Sequence, residues 1–226
     1  MNIMSHGNDD FDKKYYKQFF IQYDHKELAK YYNWFWGLYN FLGNYLPLHN
    51  QAGKKVLEIG GSMGAFAKVL KEKKFLVVSS DISSFIVNKA KKLQPDIKFT
   101  VIDIQKGIYV KGTFDYIFAF DVVEHLKNPQ IAFKNILKKL KKGGVFVFST
   151  PFPAPQFEAD PTHINIHEPK WWLELAKNVG FKKLVFTYAT YIPFLYRVSK
   201  YFSLVFPFKI NLPFINSTCI FIFRRD

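Results

Sequence analysis

The chain has 226 residues, 49 % of them hydrophobic and 22 % charged, a balance that fits one globular domain with extensions and excludes disorder, collagen-like repeats and low-complexity fibres. Its single cysteine, Cys219, rules out an internal disulfide and a multi-cysteine zinc site, and fits a reducing, cytoplasmic setting. The formal charge of +14 would suit nucleic acid, a membrane surface or acidic substrates, but only three of the 32 cations are arginines, the residue that phosphate recognition favours.

The first dozen residues are polar and lack an apolar h-region, so no signal peptide is read there. No run of about 18 apolar residues predicts a membrane-spanning helix. Residues 1–47 are read as an N-terminal helical lid. An aromatic-spiked lead-in reaches residue 23, and a helix or helix pair over 25–46 carries Tyr31, Tyr32, Trp34, Phe35, Trp36, Leu38 and Tyr39 before Pro47 stops it. The core, 48–188, then alternates. Strands are predicted at 55–59, 75–80, 97–101, 116–120, 145–149 and 183–188, with helices at 63–73, 83–93, 129–141 and 169–178 between them. Ser83 or Ser84 is the expected cap of the second of these helices, and Gly143-Gly144 the expected end of the third.

A 29-residue excursion, 189–217, precedes a seventh strand at 219–223, within the terminal segment 218–226. Over 193–206, Phe194, Leu195, Val198, Tyr201, Phe202 and Val205 share one face of an expected basic amphipathic helix. Such a helix covers its own protein, covers a dimer partner or lies on a membrane surface. Strands separated by helices require crossovers and hence parallel pairing. The expected fold is therefore a single α/β domain with a doubly wound, seven-stranded, mostly parallel sheet, a helical lid and an insertion between the last two strands. Ligands of such sheets bind at the carboxyl ends of the strands.

The first strand runs into Glu58-Ile59-Gly60-Gly61-Ser62-Met63-Gly64. A Gly-rich turn between strand and helix lets backbone N–H groups approach a ligand closely. The dinucleotide pattern G-x-G-x-x-G would need glycines at 62 and 65, where Ser62 and Ala65 stand. Glu58, two residues before the first glycine, suits a cationic ligand better than a pyrophosphate. Asp81 ends the second strand, where an acid can accept both hydroxyls of a ribose, or can cap the following helix. Asp103-Ile104 follow the third strand, where an acid can meet an adenine amine or sit in a loop. The fourth strand exits through Phe120-Asp121-Val122-Val123-Glu124-His125.

With these segments in order, the chain resembles the class I S-adenosylmethionine-dependent methyltransferases, and more narrowly the small-molecule group that includes the ubiquinone-biosynthesis O-methyltransferases. The resemblance covers roughly residues 50–150 and implies a Rossmann-like methyltransferase fold with S-adenosylmethionine as cofactor. It implies that Glu58 organises the turn and the methionine end, that Gly60, Gly61, Ser62 and Gly64 line that end, and that Asp81 holds the ribose. It implies further that Ile82 packs on adenine, that Asp103 and Ile104 flank that ring, and that the Phe120 carbonyl faces the methionine amino group. The family usually has a third glycine where Ser62 stands; Gly61 is expected to supply the permissive backbone instead.

Asp121, His125 and His163 are the candidate catalytic residues. A hydroxyl acceptor benefits from a general base, and histidine titrates near neutrality; each of the two histidines could instead brace a loop. Clusters like Asp121, Glu124 and His125 are associated with a divalent metal in the ubiquinone O-methyltransferase type, but no metal ligand is assigned here. The expected reaction is methyl transfer to a small or lipid- or sugar-linked acceptor, at a hydroxyl oxygen. Nucleic acid is disfavoured as acceptor, since neither an amino-methylating Asn/Asp-Pro-Pro-aromatic motif nor a Pro-Cys nucleophile is present. The alternative is a catalytically degenerate protein of the same fold, acting as a membrane-associated binding or scaffold protein. Peripheral membrane contact through 193–206 and the oligomeric state stay open.

Overall fold

Eight strands form one sheet: β1 (Lys55–Ile59), β2 (Leu76–Asp81), β3 (Lys98–Val101), β4 (Phe114–Phe120), β5 (Leu140–Thr150), β6 (Lys182–Tyr191), β7 (Val205–Phe206) and β8 (Ser217–Arg224). Their order is β3-β2-β1-β4-β5-β8-β6-β7. Pairing is parallel from β3 through β5 and antiparallel among β5, β8, β6 and β7. The helices are α1 (Lys13–Tyr16), α2 (His25–Leu42), α3 (Ala65–Glu72), α4 (Ser84–Leu93), α5 (Pro129–Lys139), α6 (Pro155–Glu158) and α7 (Pro169–Val179). This computed structural model describes residue 11 and residues 13–210, 215 and 217–226. The rest of the polar N-terminal dozen, and 211–214 and 216 of the excursion, lie outside the described residues.

The alternation of side chains along each strand explains the abundance of phenylalanine. Phe146 and Phe148 of β5 join Phe221 and Phe223 of β8 on one face, where Phe133 of α5 and Trp172 of α7 cover them. Phe148 and Phe221 are register partners and stack at 4.7 Å. Val145, Val147, Ile220 and Ile222 point to the other face, beneath Leu38 and Leu42 of α2 and Phe66 of α3. Cross-strand aromatic pairs of this kind contribute roughly 0.2–1 kcal/mol each beyond their burial.

The lid helix starts where Asp24 accepts the Glu27 N–H and the Glu27 carboxylate accepts those of Ile21, Gln22 and Tyr23, so one orphan donor of its first turn and three of the entering chain are satisfied. It is one helix rather than a pair.

Three local expectations are corrected. Helix α5 stops at Lys139, before Gly143-Gly144, because the Arg225 guanidinium donates to the carbonyls of Leu137, Lys138 and Leu140 and supplies the C-terminal cap itself. Ser83 stands at the N-cap of α4 without a side-chain cap bond; its N–H instead donates to Asp81. The amphipathic helix over 193–206 is two single 3₁₀ turns, Leu195–Arg197 and Lys200–Phe202. Ser199 between them is extended and its hydroxyl accepts the Tyr201 N–H, while Val205–Phe206 pairs with Thr190 and Tyr191. That pairing draws the segment into the sheet and makes β7 the unexpected eighth strand. The insertion seats on α2 at Gly37, where a Cβ would lie 2.2 Å from Ser203 Oγ. Among the described residues no helix is long and apolar enough to cross a membrane.

Candidate functional site

A cavity of about 730 Å³ lies over the carboxyl ends of β1, β2 and β4, roofed by α1 and α2. Its floor is the β1–α3 turn. Gly60 has φ +71°, and a Cβ there would lie 2.2 Å from Val122, so this position requires glycine on both counts. Gly61 makes a close approach instead: a Cβ would lie 2.1 Å from Ser79 Oγ and 2.5 Å from Glu58 Oε2. The permissiveness expected of Gly61 lies in that close approach rather than in a positive φ, and Ser62 itself adopts φ +48°. Its N–H donates to Asp81 Oδ2 at 3.1 Å, which holds an L-residue in a conformation it otherwise avoids. The Ser62 Oγ borders the cavity, buried and with no hydrogen-bond partner among the described residues.

Asp81 is 3 % exposed. Its carboxylate accepts from Tyr16 Oη at 2.8 Å, from the Ser83 N–H at 3.0 Å and from Ser62. Burial raises its pKa while these donors oppose the rise. Burial, then the Asp81 charge, holds the Tyr16 hydroxyl in its neutral, donating form. Glu58 sits behind the turn, outside the cavity lining. Burial pushes its carboxyl up to about 8 against the opposing Ser79 hydroxyl, with the Asp81 charge adding to the rise. Gly64 is also outside the lining: it starts α3, and a Cβ there would collide with Phe99, so its role is packing.

Ile82, Asp103 and Ile104 line the far end. Asp103 accepts the Gln105 N–H at 3.0 Å and lies 3.5 Å from Lys106 Nζ, which fixes its loop. The Phe120 ring packs into the core against Phe66 at 5.0 Å and Phe35 at 5.8 Å, outside the lining.

At the exit of β4, Asp121 takes φ +51° and is held through Ser149, whose hydroxyl donates to Oδ1 at 2.6 Å. It is exposed to the cavity on one side and enclosed on the others; burial raises its carboxyl. His125 also lines the cavity. Its Nδ1 lies 2.9 Å from the Thr162 carbonyl. A carbonyl only accepts, so Nδ1 carries the proton and the neutral ring keeps its lone pair on Nε2. Burial lowers the His125 pKa to about 4, so the neutral form holds at ordinary pH. His163 lies beside it, ring centroids 4.9 Å apart, with its own Nδ1 donating to the Phe157 carbonyl at 2.7 Å.

The expected metal-like cluster is regrouped. Ligand atoms of Glu124, His125 and His163 lie within 4.8 Å of one another, and Asp121 does not join that set. The Glu124 carboxylate is buried with both oxygens unpartnered, and burial holds its pKa well above the usual range, the Asp121 charge adding. One carboxylate and two imidazole Nε2 atoms could hold a divalent cation, and could equally position an acceptor.

Tyr15, Tyr16, Phe19 and Phe20 enclose the cavity from above together with Trp34 and Phe35 of the helix read as a lid, and Tyr196 and Arg197 reach it from the insertion. Sequence reasoning did not name Tyr15, Tyr16, Phe19, Phe20, Tyr196 or Arg197 as site residues; a signal for the first four was the doublet spacing of Tyr15-Tyr16 and Phe19-Phe20.

The residues present fit a sulfonium nucleoside. Gly60, Gly61 and Ser62 border the cavity together with Asp81 at the end of β2, the strand end where this fold class places an acid for a ribose, and a side chain at Gly60 or Gly61 would collide with Val122 or with Ser79 and Glu58 and displace the turn. A family model described as a methyltransferase domain matches residues 37–185. The chain is 28 % identical over 147 residues to phosphoethanolamine N-methyltransferase 1 of Triticum aestivum, covering 60 % of this chain and 30 % of that protein. It is 28 % identical over 145 residues to the ubiquinone biosynthesis O-methyltransferase of Coxiella burnetii, covering 56 % of this chain and 62 % of that one. The matches thus span less than two thirds of these relatives. Among solved structures, a Thermotoga maritima SAM-dependent methyltransferase, described as a possible histamine N-methyltransferase, aligns with TM-score 0.66 at 15 % identity over 93 % of this chain and 98 % of the other. Phosphoethanolamine N-methyltransferase 2 of Haemonchus contortus, bound to phosphomonomethylethanolamine and S-adenosylhomocysteine, aligns with TM-score 0.63 at 15 % identity over 84 % of this chain and 52 % of that one.

Proposed function

The chain belongs to the methyltransferase-domain family, and from that membership and the site's geometry we propose that it transfers a methyl group from S-adenosylmethionine to a hydroxyl oxygen of a small or lipid- or sugar-linked acceptor. The observation that carries the acceptor side is His125 at the cavity wall, its Nδ1 held by the Thr162 carbonyl and its ring beside His163 and Glu124. The cofactor supplies an electrophilic methyl on a sulfonium sulfur. Gly60, Gly61 and Ser62 seat its amino-acid end, Asp81 receives its ribose hydroxyls, and Asp103 and Ile104 border its base. His125 Nε2 accepts the acceptor's proton while Thr162, through Nδ1, keeps the ring oriented. The aromatic roof excludes water from the reacting centre. Alignment of acceptor and methyl in this enclosed site supplies much of the acceleration.

An amine acceptor is the second reading. The aromatic roof favours it, because aromatic faces attract ammonium groups, and three of the four proteins above carry N-methyltransferase names, one of them as a possible one. Transfer of tritiated methyl from S-adenosylmethionine to a panel of quinols, hydroxylated lipids, sugars and amino alcohols tests both. We expect label on a hydroxylated acceptor and a loss of roughly 10²–10⁴ in turnover for His125→Gln. Label on nitrogen alone would move the amine reading first. Cofactor binding without any transfer across the panel would favour the degenerate-scaffold alternative.

A further inference from the structure

One face beside the cavity mouth is left unused by the proposed chemistry. The insertion is anchored to α2: Asn33 Nδ2 donates to the Tyr196 carbonyl at 3.0 Å and Ser203 Oγ to the Trp34 carbonyl at 3.4 Å. Yet it turns its large side chains outward. Val198 and Tyr201 are each 76 % exposed, and Phe194, Leu195 and Phe202 are exposed beside them. Across the mouth, Phe19 and Ile21 of the lid are exposed as well. Tyr31 lies between the two, its hydroxyl donating to the Phe19 carbonyl; burial and then the Glu27 charge raise its pKa, with the Arg197 charge opposing.

Cations are interleaved with this apolar surface. The Arg197 guanidinium lies over the Phe194 ring at 5.2 Å and the Lys200 ammonium over the Trp36 ring at 4.2 Å, so both charges sit on the aromatic surface itself. Between Glu174 and Asp226 the chain has no acidic residue. Scattered exposed apolar residues need no explanation, but a cluster of them rimmed by charge of one sign marks an interaction surface. A second copy of the chain would set like charge against like charge here. An anionic lipid surface satisfies both halves of the pattern, taking the aromatic and aliphatic side chains into its headgroup boundary and pairing with the cations.

We propose that the face formed by Phe194, Leu195, Val198, Tyr201 and Phe202, with Arg197 and Lys200, docks the protein on an anionic membrane surface. Tyr196 and Arg197 also line the cavity, so docking brings its mouth to the bilayer, and an acceptor dissolved in lipid enters without crossing water. That entry route rests on the proposed methyl transfer; the docking itself does not.

The test uses the full chain, sedimented with vesicles of phosphatidylcholine alone or doped with phosphatidylglycerol. We expect binding to the doped vesicles only, weakening as salt rises. The double variant Val198→Asp/Phe202→Asp should lower the vesicle affinity about tenfold or more while its melting temperature and S-adenosylhomocysteine affinity stay unchanged. Absence of binding to the doped vesicles, equal binding to neutral ones, or full binding by the double variant each overturns the proposal. A vesicle-free dimer that the double variant dissolves, without vesicle binding by the parent, would assign the face to self-association and also overturn it. Failure of the methyltransferase reading is separately visible, as vesicle binding by a chain that takes up no cofactor.

Discussion

Replacing Gly61 by alanine places a methyl group 2.1 Å from Ser79 Oγ, 2.5 Å from Glu58 Oε2 and 2.8 Å from Glu58 Cδ. None of these atoms is the loose end of an exposed chain: Ser79 and Glu58 are buried, and the Ser79 hydroxyl donates to that same Glu58 oxygen. The methyl must part this pair or push the turn outward. Parting it strands a buried polar group, at about 1–3 kcal/mol, and the crowding adds about 1–3 kcal/mol more. A total of about 2–6 kcal/mol corresponds to a fall in melting temperature of roughly 4–24 °C for a domain of this size. Pushing the turn outward instead displaces the floor proposed to seat the cofactor's amino-acid end. Thermal melting and calorimetric titration with S-adenosylhomocysteine read the two consequences. Gly112→Ala is the control. Its φ is +89° and nothing lies within 4 Å of a Cβ there, so it should cost backbone strain alone, about 1–3 kcal/mol, and leave affinity unchanged. A Gly61→Ala protein that melts and binds like the parent would refute the reasoning.

Three further outcomes follow from the same geometry. Ser62→Gly should raise stability by up to about 1 kcal/mol, seen as a higher melting temperature, because φ +48° costs glycine little; no gain would mean that the bond to Asp81 or the unfolded chain cancels the strain. The Glu58 carboxyl, held at about 8 by burial, lies above its unfolded value, so its contribution to stability is fully present below about pH 4.5 and is lost as pH rises toward 8, at up to about 1.4 kcal/mol per pH unit. Melting curves across that window should therefore decline more steeply for the parent than for Glu58→Gln, and parallel curves would contradict the assignment. Arg225→Ala removes the donor shared by three carbonyls at the end of α5; denaturant unfolding should show a loss of about 1–3 kcal/mol, with cofactor affinity untouched because the residue lies outside the cavity lining.

The parallel half of the sheet was legible because its signals are local. The apolar runs of β4 and β5 bury both faces, the Gly turn follows β1 directly, and Asp81 falls at the end of β2. Long-range contacts were not legible. Tyr16 meets Asp81 across 65 positions, and His163 joins Glu124 and His125 only because the loop after β5 folds back, with the Ile164 and Asn165 N–H groups donating to the Glu124 carbonyl. Periodicity in the insertion pointed to a helix, but the pairing of β7 with β6 and the extended Ser199 prevailed over it. At Ser62 a side chain stands where the turn would be cheaper with glycine. Only the structure reveals that the Asp81 carboxylate holds its N–H in place.

The central claim is that the Gly60–Ser62 turn and Asp81 hold S-adenosylmethionine, and calorimetric titration of the purified chain with S-adenosylmethionine, S-adenosylhomocysteine and NAD tests it most directly. The account predicts saturable binding of either sulfur ligand with a Kd on the order of micromolar, about −8 kcal/mol, no binding of NAD, and loss of the sulfur-ligand heat in Asp81→Ala. A folded parent that binds neither sulfur ligand, or an Asp81→Ala variant that binds them unchanged, would contradict it.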